Sequence, residues 1–268
     1  MRDDLGDRMK EYEGREANRK VIPRLPVCAR IDGKCFSKFT RGLERPYDIR
    51  LSRLMIETTR RLMEESAALA GYTQSDEISL LFYSEDAKSQ MFFDGRIQKM
   101  TSILASMTTA LFNSKITEYV PEKKDELAMF DCRVWELPDK SEATNTFLWR
   151  ELDASRNSVS MAARTFYSHE ELQNRTWDEM QELLFQKGIN WNEYPVFFKR
   201  GTFLLRKSVE SRFSPGDLSS LPLLHDAHTN PDLVIRRSVI LEMELPAFSK
   251  ISNRVETLFE GAEPVMCV

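Results

Sequence analysis

Two short acidic segments stand out for the chemistry they could perform. Asp32 closes a β-prone run, Pro26 to Ile31, and is followed by Gly33-Lys34; Asp76-Glu77 opens a second such run, Ile78 to Tyr83, and is preceded by Ser75. Each acid has a small neighbour that lets backbone come close. If the two runs are antiparallel neighbours, the acidic ends lie side by side. Carboxylates meeting there, with the Gly33 carbonyl, can hold two Mg2+ ions, which prefer hard oxygen ligands and share them with substrate phosphates. Such a pair serves phosphoryl and nucleotidyl transfer, one ion activating the attacking oxygen and the other stabilising the leaving group. Lys34, and Arg96 with Lys99 about one helical turn apart, are candidate phosphate-binding cations. An isolated Asp beside Gly or Ser is more often a turn or cap residue, so the weight falls on the elements that position these groups.

Met1 to about Arg19 is a charged leader with Leu5, Met9 and Tyr12 at helical spacing, ended by Pro23 and Pro26. A strand over 26–31 follows. Leu51, Leu54, Met55, Ile56, Leu62 and Met63 predict an amphipathic helix from Tyr47 to about Leu69; Gly71 to Glu77 then reads as a turn and 78–83 as a strand. A second long helix is expected from about Gly95 to Thr117, a strand over 130–137, and helices over 144–167 and 177–186, the last stopped by Gly188. Residues 201–206, 234–235 and 238–241 read as late strands, and Ser214 to Asn230 as a mobile loop. The alternation predicts an α+β fold: a small antiparallel sheet with helices on one face, as in a polymerase- or cyclase-like palm. Residues 1–138 would form the palm core with its N-terminal helix, and 139–268 a helical and strand extension packed on it in one compact chain.

Composition narrows the class. The 268 residues are 41% hydrophobic and 30% charged, with a net charge of −4, so any nucleic-acid contact must use a local basic face rather than a global positive charge. Cys28, Cys35, Cys132 and Cys267 show no CxxC pairing and read as free thiols in a reducing compartment. The N-terminus lacks an apolar signal region and no stretch approaches the ~20 apolar residues of a membrane span. A cytosolic protein is expected.

The residues Arg30-Ile31-Asp32-Gly33-Lys34-Cys35-Phe36 with Lys38-Phe39, Gln74-Ser75-Asp76-Glu77-Ile78-Ser79, Phe130-Asp131-Cys132-Arg133-Val134 and Lys199-Arg200-Gly201 resemble, in order and spacing, four blocks of the tRNA-histidine guanylyltransferase superfamily. The resemblance spans about residues 25 to 207. It implies a palm that adds nucleotides to RNA 5′ ends in the 3′-to-5′ direction. It implies Mg2+ ligands at Asp32, the Gly33 backbone and Asp76, with Glu77 as an adjacent catalytic acid. Nucleotide-binding segments fall at Gly33, Lys34, Cys35 and Phe36 and at Ser75, and triphosphate contacts at Arg96 and Lys99. The partners implied are a tRNA or tRNA-like 5′ end, ATP or GTP as activating nucleotide, and further copies of the chain in a tetramer or dimer. Where eukaryotic members carry an HINNLYN segment, this chain has Ser155 to Met161, keeping Asn157 and the preceding Asp153. That departure is similar to the family's "like" branch, which restores missing 5′ nucleotides by templated addition. The alternatives are untemplated G addition to tRNA-His, a nucleotide-cyclase-like palm, and a non-catalytic RNA-binding palm.

The remaining chemistry-bearing residues read more plainly. Asp131 is either a third acid or a strand residue bonded to Arg133. His225 and His228 lack a third ligand and read as surface residues. Trp135, Trp149, Trp177 and Trp191 read as core or interface residues, although one could stack on a base. Candidates for RNA contact are Asn157, Lys123-Lys124, Arg156, Arg164, Lys199-Arg200, Arg206-Lys207 and Arg236-Arg237, provided they cluster on one face.

Overall fold

In the computed structural model, which describes residues 3–86 and 89–267, helix α1 (Asp4–Ala17) leads into strand β1 (Val27–Gly33), the short α2 (Phe36–Phe39) and α3 (Ile49–Ser66). Strands β2 (Ala70–Gln74) and β3 (Glu77–Phe82) form a tight hairpin, and α4 (Ile97–Tyr119) carries the chain back to β4 (Phe130–Glu136). The second half contributes α5 (Lys140–Ala163), α6 (His169–Leu172), α7 (Trp177–Gln186), α8 (Val196–Arg200), β5 (Thr202–Arg212), α9 (Pro215–Ser220), β6 (Val234–Met243) and α10 (Arg254–Glu260). All strand pairs are antiparallel, in the order β4-β1-β3-β2-β5-β6.

The α+β expectation holds, with two enlargements. Alternation along β1 sends Val27, Ala29 and Ile31 under Leu54, Leu62, Leu104 and Phe112 of α3 and α4 and Cys28 to the opposite face, under Ala143 and Phe147 of α5. Helices therefore cover both faces rather than one. The sheet has six strands because β5 pairs along β2 (Thr73↔Thr202 to Ala70↔Leu205), so residues beyond 138 extend the same sheet.

Local reading failed where glycine misleads. The segment read as a turn from Gly71 contains β2. Gly71 is there because a Cβ would lie 2.7 Å from Met63 Sδ and 2.9 Å from Thr59 Cγ2; its absence lets α3 settle on the strand. The turn itself is only Ser75-Asp76, with Ser75 in the left-handed region at φ 53°. Two late fragments, 234–235 and 238–241, are one strand paired with β5 along its length. The supposed mobile loop contains α9, begun by a capping box between Ser214 and Asp217.

One buried acid marks the seam between α5 and the C-terminal segments. Glu151 is 3% exposed, accepts the Phe248 N–H at 2.8 Å and lies 3.5 Å from Arg200 Nε. Burial pushes its carboxyl up to about 7 against these partners. A raised acid costs stability where it must ionise, above about pH 7, and that cost disappears as pH falls toward the ordinary carboxylate range. Glu151→Gln is therefore expected to stabilise the fold by up to about 3 kcal/mol at pH 8 and to match the parent near pH 5. Thermal melts at the two pH values check this.

Candidate active site

The ends of β1 and β3 meet as the sequence pattern demands. Asp32 is the register partner of Glu77 on one side and of Asp131 on the other, and directly opposed residues project to the same face. The Gly33 N–H donates to the Asp76 carbonyl at 3.2 Å. A Cβ on Gly33 would fall 2.8 Å from Asp76 Oδ2 and 2.5 Å from Phe36 Cδ2. The Asp76 carboxylate thus sits over the Gly33 backbone, and only glycine permits it. Gly33→Ala is expected to displace Asp76 and Phe36 together, at a cost of ~1–3 kcal/mol and of roughly a hundredfold in any activity that needs the two acids in register. Urea melts and turnover assays on the same preparation separate the two effects.

Electrostatics favour a cation between these acids. Asp76 accepts the Ser75 hydroxyl at 3.0 Å. Burial is the largest influence on its carboxyl and pushes it up; Ser75 opposes this and nearby Asp32 adds to it. Among the described residues neither Asp32 nor Asp76 has an ion-pair partner. No three His, Cys, Asp or Glu side chains there form a complete metal cage. A pair of carboxylates with a backbone carbonyl, left for water and phosphate to complete, is the donor set suited to Mg2+, so the residues fit that ion.

Glu77, expected as an adjacent catalytic acid, is engaged by a cation. Both carboxylate oxygens are taken by Arg150 of α5, at 2.6 Å from Nε and 2.8 Å from Nη2. Arg150 also reaches Asp153 at 3.1 Å, and Asp153 accepts from Asn157 at 3.3 Å. This chain bolts α5 across the hairpin that carries Asp76. Asn157 is thereby brought to the site, one turn from Met161, which with Gln74, Ser75, Thr40, Arg45, Tyr47 and Phe198 lines a small cavity of about 100 Å3. Arg45 and Tyr47 were not singled out in the sequence; a Pro-bearing loop ahead of a helix was their only signal.

Other expected residues divide. Lys34 is exposed beside Asp32, its N–H donating to the Met129 carbonyl, and Cys35 is exposed with φ 55° at the start of α2. Phe36 is buried against Phe39, Phe112 and Phe130, so its ring belongs to the core and only its backbone faces a ligand. Arg96 and Lys99 are not brought to the carboxylates. Arg96 bridges Lys20, close to where Ile22 N–H reaches Glu136; Glu136 pairs with Val27, five residues and ~17 Å along β1 from Asp32. Lys199 donates to the Asn192 carbonyl at the surface and Arg200 turns toward Glu151, so both have partners within the protein. Lys123 is buried on the Arg41 carbonyl and Glu126, and Arg206 on the Met63 and Ala68 carbonyls. Asp131 is exposed, 3.8 Å from Arg133. His225 and His228 hold their own loop. Cys28 and Cys132 are buried thiols pushed up to about 12.

Comparison with known proteins decides the class. A family model described as tRNAHis guanylyltransferase matches residues 6–138. A bacterial tRNA(His) guanylyltransferase-like protein solved with ATP is 35% identical and superposes with a TM-score of 0.78 over 96% of this chain and 99% of its own. This chain belongs to the tRNAHis guanylyltransferase family. A second bacterial guanylyltransferase-like structure, with GTP, is 33% identical at a TM-score of 0.71 over 92% of this chain and 95% of its own. The tRNA(His) guanylyltransferase of Schizosaccharomyces pombe is 28% identical over 225 residues, 78% of this chain and 83% of that protein. The palm fold and nucleotidyltransferase class expected from the four sequence blocks are thus those of the guanylyltransferase family. No helix among the described residues is long and apolar enough to cross a membrane.

Proposed function

We propose that this guanylyltransferase-family enzyme adds nucleotides to the 5′ end of tRNA or a tRNA-like RNA in the 3′-to-5′ direction, restoring missing residues under Watson–Crick guidance. The observation that carries the reading is the meeting of Asp32 and Asp76 at adjacent strand ends, half-buried and, among the described residues, without a cation partner, beside a cleft lined by Gln74 and Ser75. Asp32, the Gly33 carbonyl and Asp76 would hold Mg2+, which supplies charge neutralisation and lowers the pKa of an attacking hydroxyl.

In the addition step, the 3′-hydroxyl of the incoming nucleoside triphosphate attacks the α-phosphorus of an activated or triphosphorylated RNA 5′ end. A phosphodiester forms, and pyrophosphate leaves a triphosphorylated end or the activating nucleoside monophosphate leaves a nucleotidylated one, while the hydroxyl proton passes to solvent. Asp32 and Asp76 orient this reaction, while Ser75 and the cavity walls seat a nucleoside. Arg150, through Glu77, keeps the Asp76 hairpin from shifting relative to α5. The ATP and GTP complexes of the two bacterial relatives support a triphosphate substrate. The divergent segment Ser155 to Met161, which retains Asn157, supports templated repair over obligatory addition of a single G. We place the enzyme in the cytosol, consistent with four free thiols, and as a homo-oligomer. Arg96 and Lys99 then serve a phosphate at the far end of the sheet rather than the triphosphate over Asp32 of the same chain.

Incubating a tRNA that lacks its first nucleotide with Mg2+ and each triphosphate in turn tests the templating. Extension only by the nucleotide complementary to the opposing base is expected. G addition whatever the template would replace repair by the tRNA-His reading, and a cyclic nucleotide formed without RNA would replace both.

A further inference from the structure

The reaction as derived leaves Trp149 without a task. Its side chain is 48% exposed although it lies in the middle of α5, whose inner face is packed on the sheet. Two guanidinium groups hold the indole where apolar neighbours would be expected: Arg150 Cζ is 4.5 Å from the ring centroid and Arg30 Cζ 5.6 Å. Both guanidinium groups converge on Glu77, Arg150 by the paired bonds described above and Arg30 Nε at 4.0 Å. The indole is thus fixed in orientation without being covered.

Its surroundings are those of a nucleic-acid strand site. Arg30 precedes Asp32 by two residues and so shares its face of β1; across β4 its register partner is Arg133, exposed and only loosely offset by Asp131 at 3.8 Å. Arg156 stands two turns along α5, on Trp149's side of the helix and exposed. A rigid aromatic face bordered by guanidinium groups binds successive bases and phosphates with little regard to sequence. This face is separate from the cleft beside Ser75, whose lining does not include Trp149.

We propose that Trp149 is a stacking platform for the terminal base at the RNA 5′ end, with Arg133 and Arg156 taking the flanking phosphates. The proposal rests on the reading of this chain as an RNA 5′-end nucleotidyltransferase. It assigns the cavity beside Ser75 to the nucleotide and the Trp149 face to the RNA, with Asp32 between them. Stacking is indifferent to base identity, as a repair enzyme facing any terminal nucleotide requires.

The test uses a tRNA acceptor carrying 2-aminopurine as its 5′-terminal base, whose fluorescence falls on stacking, with the parent, Trp149→Ala and Trp149→Phe. The parent should quench the probe. Trp149→Ala should lose the quenching and weaken RNA binding by about tenfold or more, Trp149→Phe should restore most of both, and a fluorescent ATP analogue should bind all three alike. Equal quenching and affinity in Trp149→Ala would overturn the proposal. So would unchanged RNA affinity with altered sedimentation, which would make the face a contact between copies of the chain. Extension of unlabelled RNA by the parent without any quenching would reject the platform and leave the enzymatic reading standing; absence of extension would reject both.

Discussion

Asp32→Asn and Asp76→Asn are each expected to lower nucleotide addition by ~10³-fold or more, the loss of several kcal/mol of charge stabilisation in the transition state. Neither change should unfold the protein. Burial and the neighbouring Asp32 both push the Asp76 carboxyl up, so an ionised Asp76 costs stability at neutral pH, and the cost fades as pH falls. Replacing it with a neutral isostere removes that cost. Asp76→Asn should therefore melt at or above the parent at pH 7 while being inactive, the pattern of a site that sacrifices stability for function. Thermal melts alongside single-turnover assays read both quantities. An active variant would remove Asp76 from the site; an inactive but unfolded one would make it structural.

Arg150→Ala is expected to have the largest effect on stability. Glu77 and Arg150 side chains are 14% and 11% exposed, and removing Arg150 leaves Glu77 with only the more distant Arg30, 4.0 Å away, at a cost of up to ~3–5 kcal/mol. The stranded Glu77 can escape by protonating, so the deficit should shrink as pH falls. Arg150→Lys cannot reproduce two parallel bonds to one carboxylate and should recover only part of the loss. Because the pair clamps α5 to the hairpin bearing Asp76, activity should fall further than unfolding alone explains. Urea denaturation of Arg150→Ala, Glu77→Gln and the double variant gives the coupling directly; additive effects would mean that the pair does not act as a unit.

What the sequence revealed follows from the range of the interactions involved. Asp32 and Asp76 could be found because a strand exit and a strand entrance are local patterns, and antiparallel pairing then leaves few places for the two ends. The long helices α3, α4 and α5 were legible for the same reason, since their apolar stripes repeat within each helix. The Glu77–Arg150 pair was not, because 73 residues separate its members and nothing in either segment points to the other. Arg96 and Lys99 were rightly read one turn apart, but which end of the sheet they occupy depends on the direction of α4, and that put them far from Asp32. Lys199 and Arg200 looked available as a basic pair; only the packing of α8 against α5 shows that the protein itself uses them. The cavity draws on residues near 45, 75, 161 and 198, so no single stretch could announce it.

The fate of the γ-phosphate tests the direction of synthesis most directly. An RNA with a 5′-triphosphate would be extended with a complementary nucleoside triphosphate labelled at its γ-phosphate, and the RNA product resolved at single-nucleotide length. Attack by the incoming 3′-hydroxyl leaves the new nucleotide's own triphosphate at the RNA 5′ end, so the account predicts a labelled, lengthened RNA whose formation requires Asp32 and Asp76. A lengthened but unlabelled RNA would contradict it.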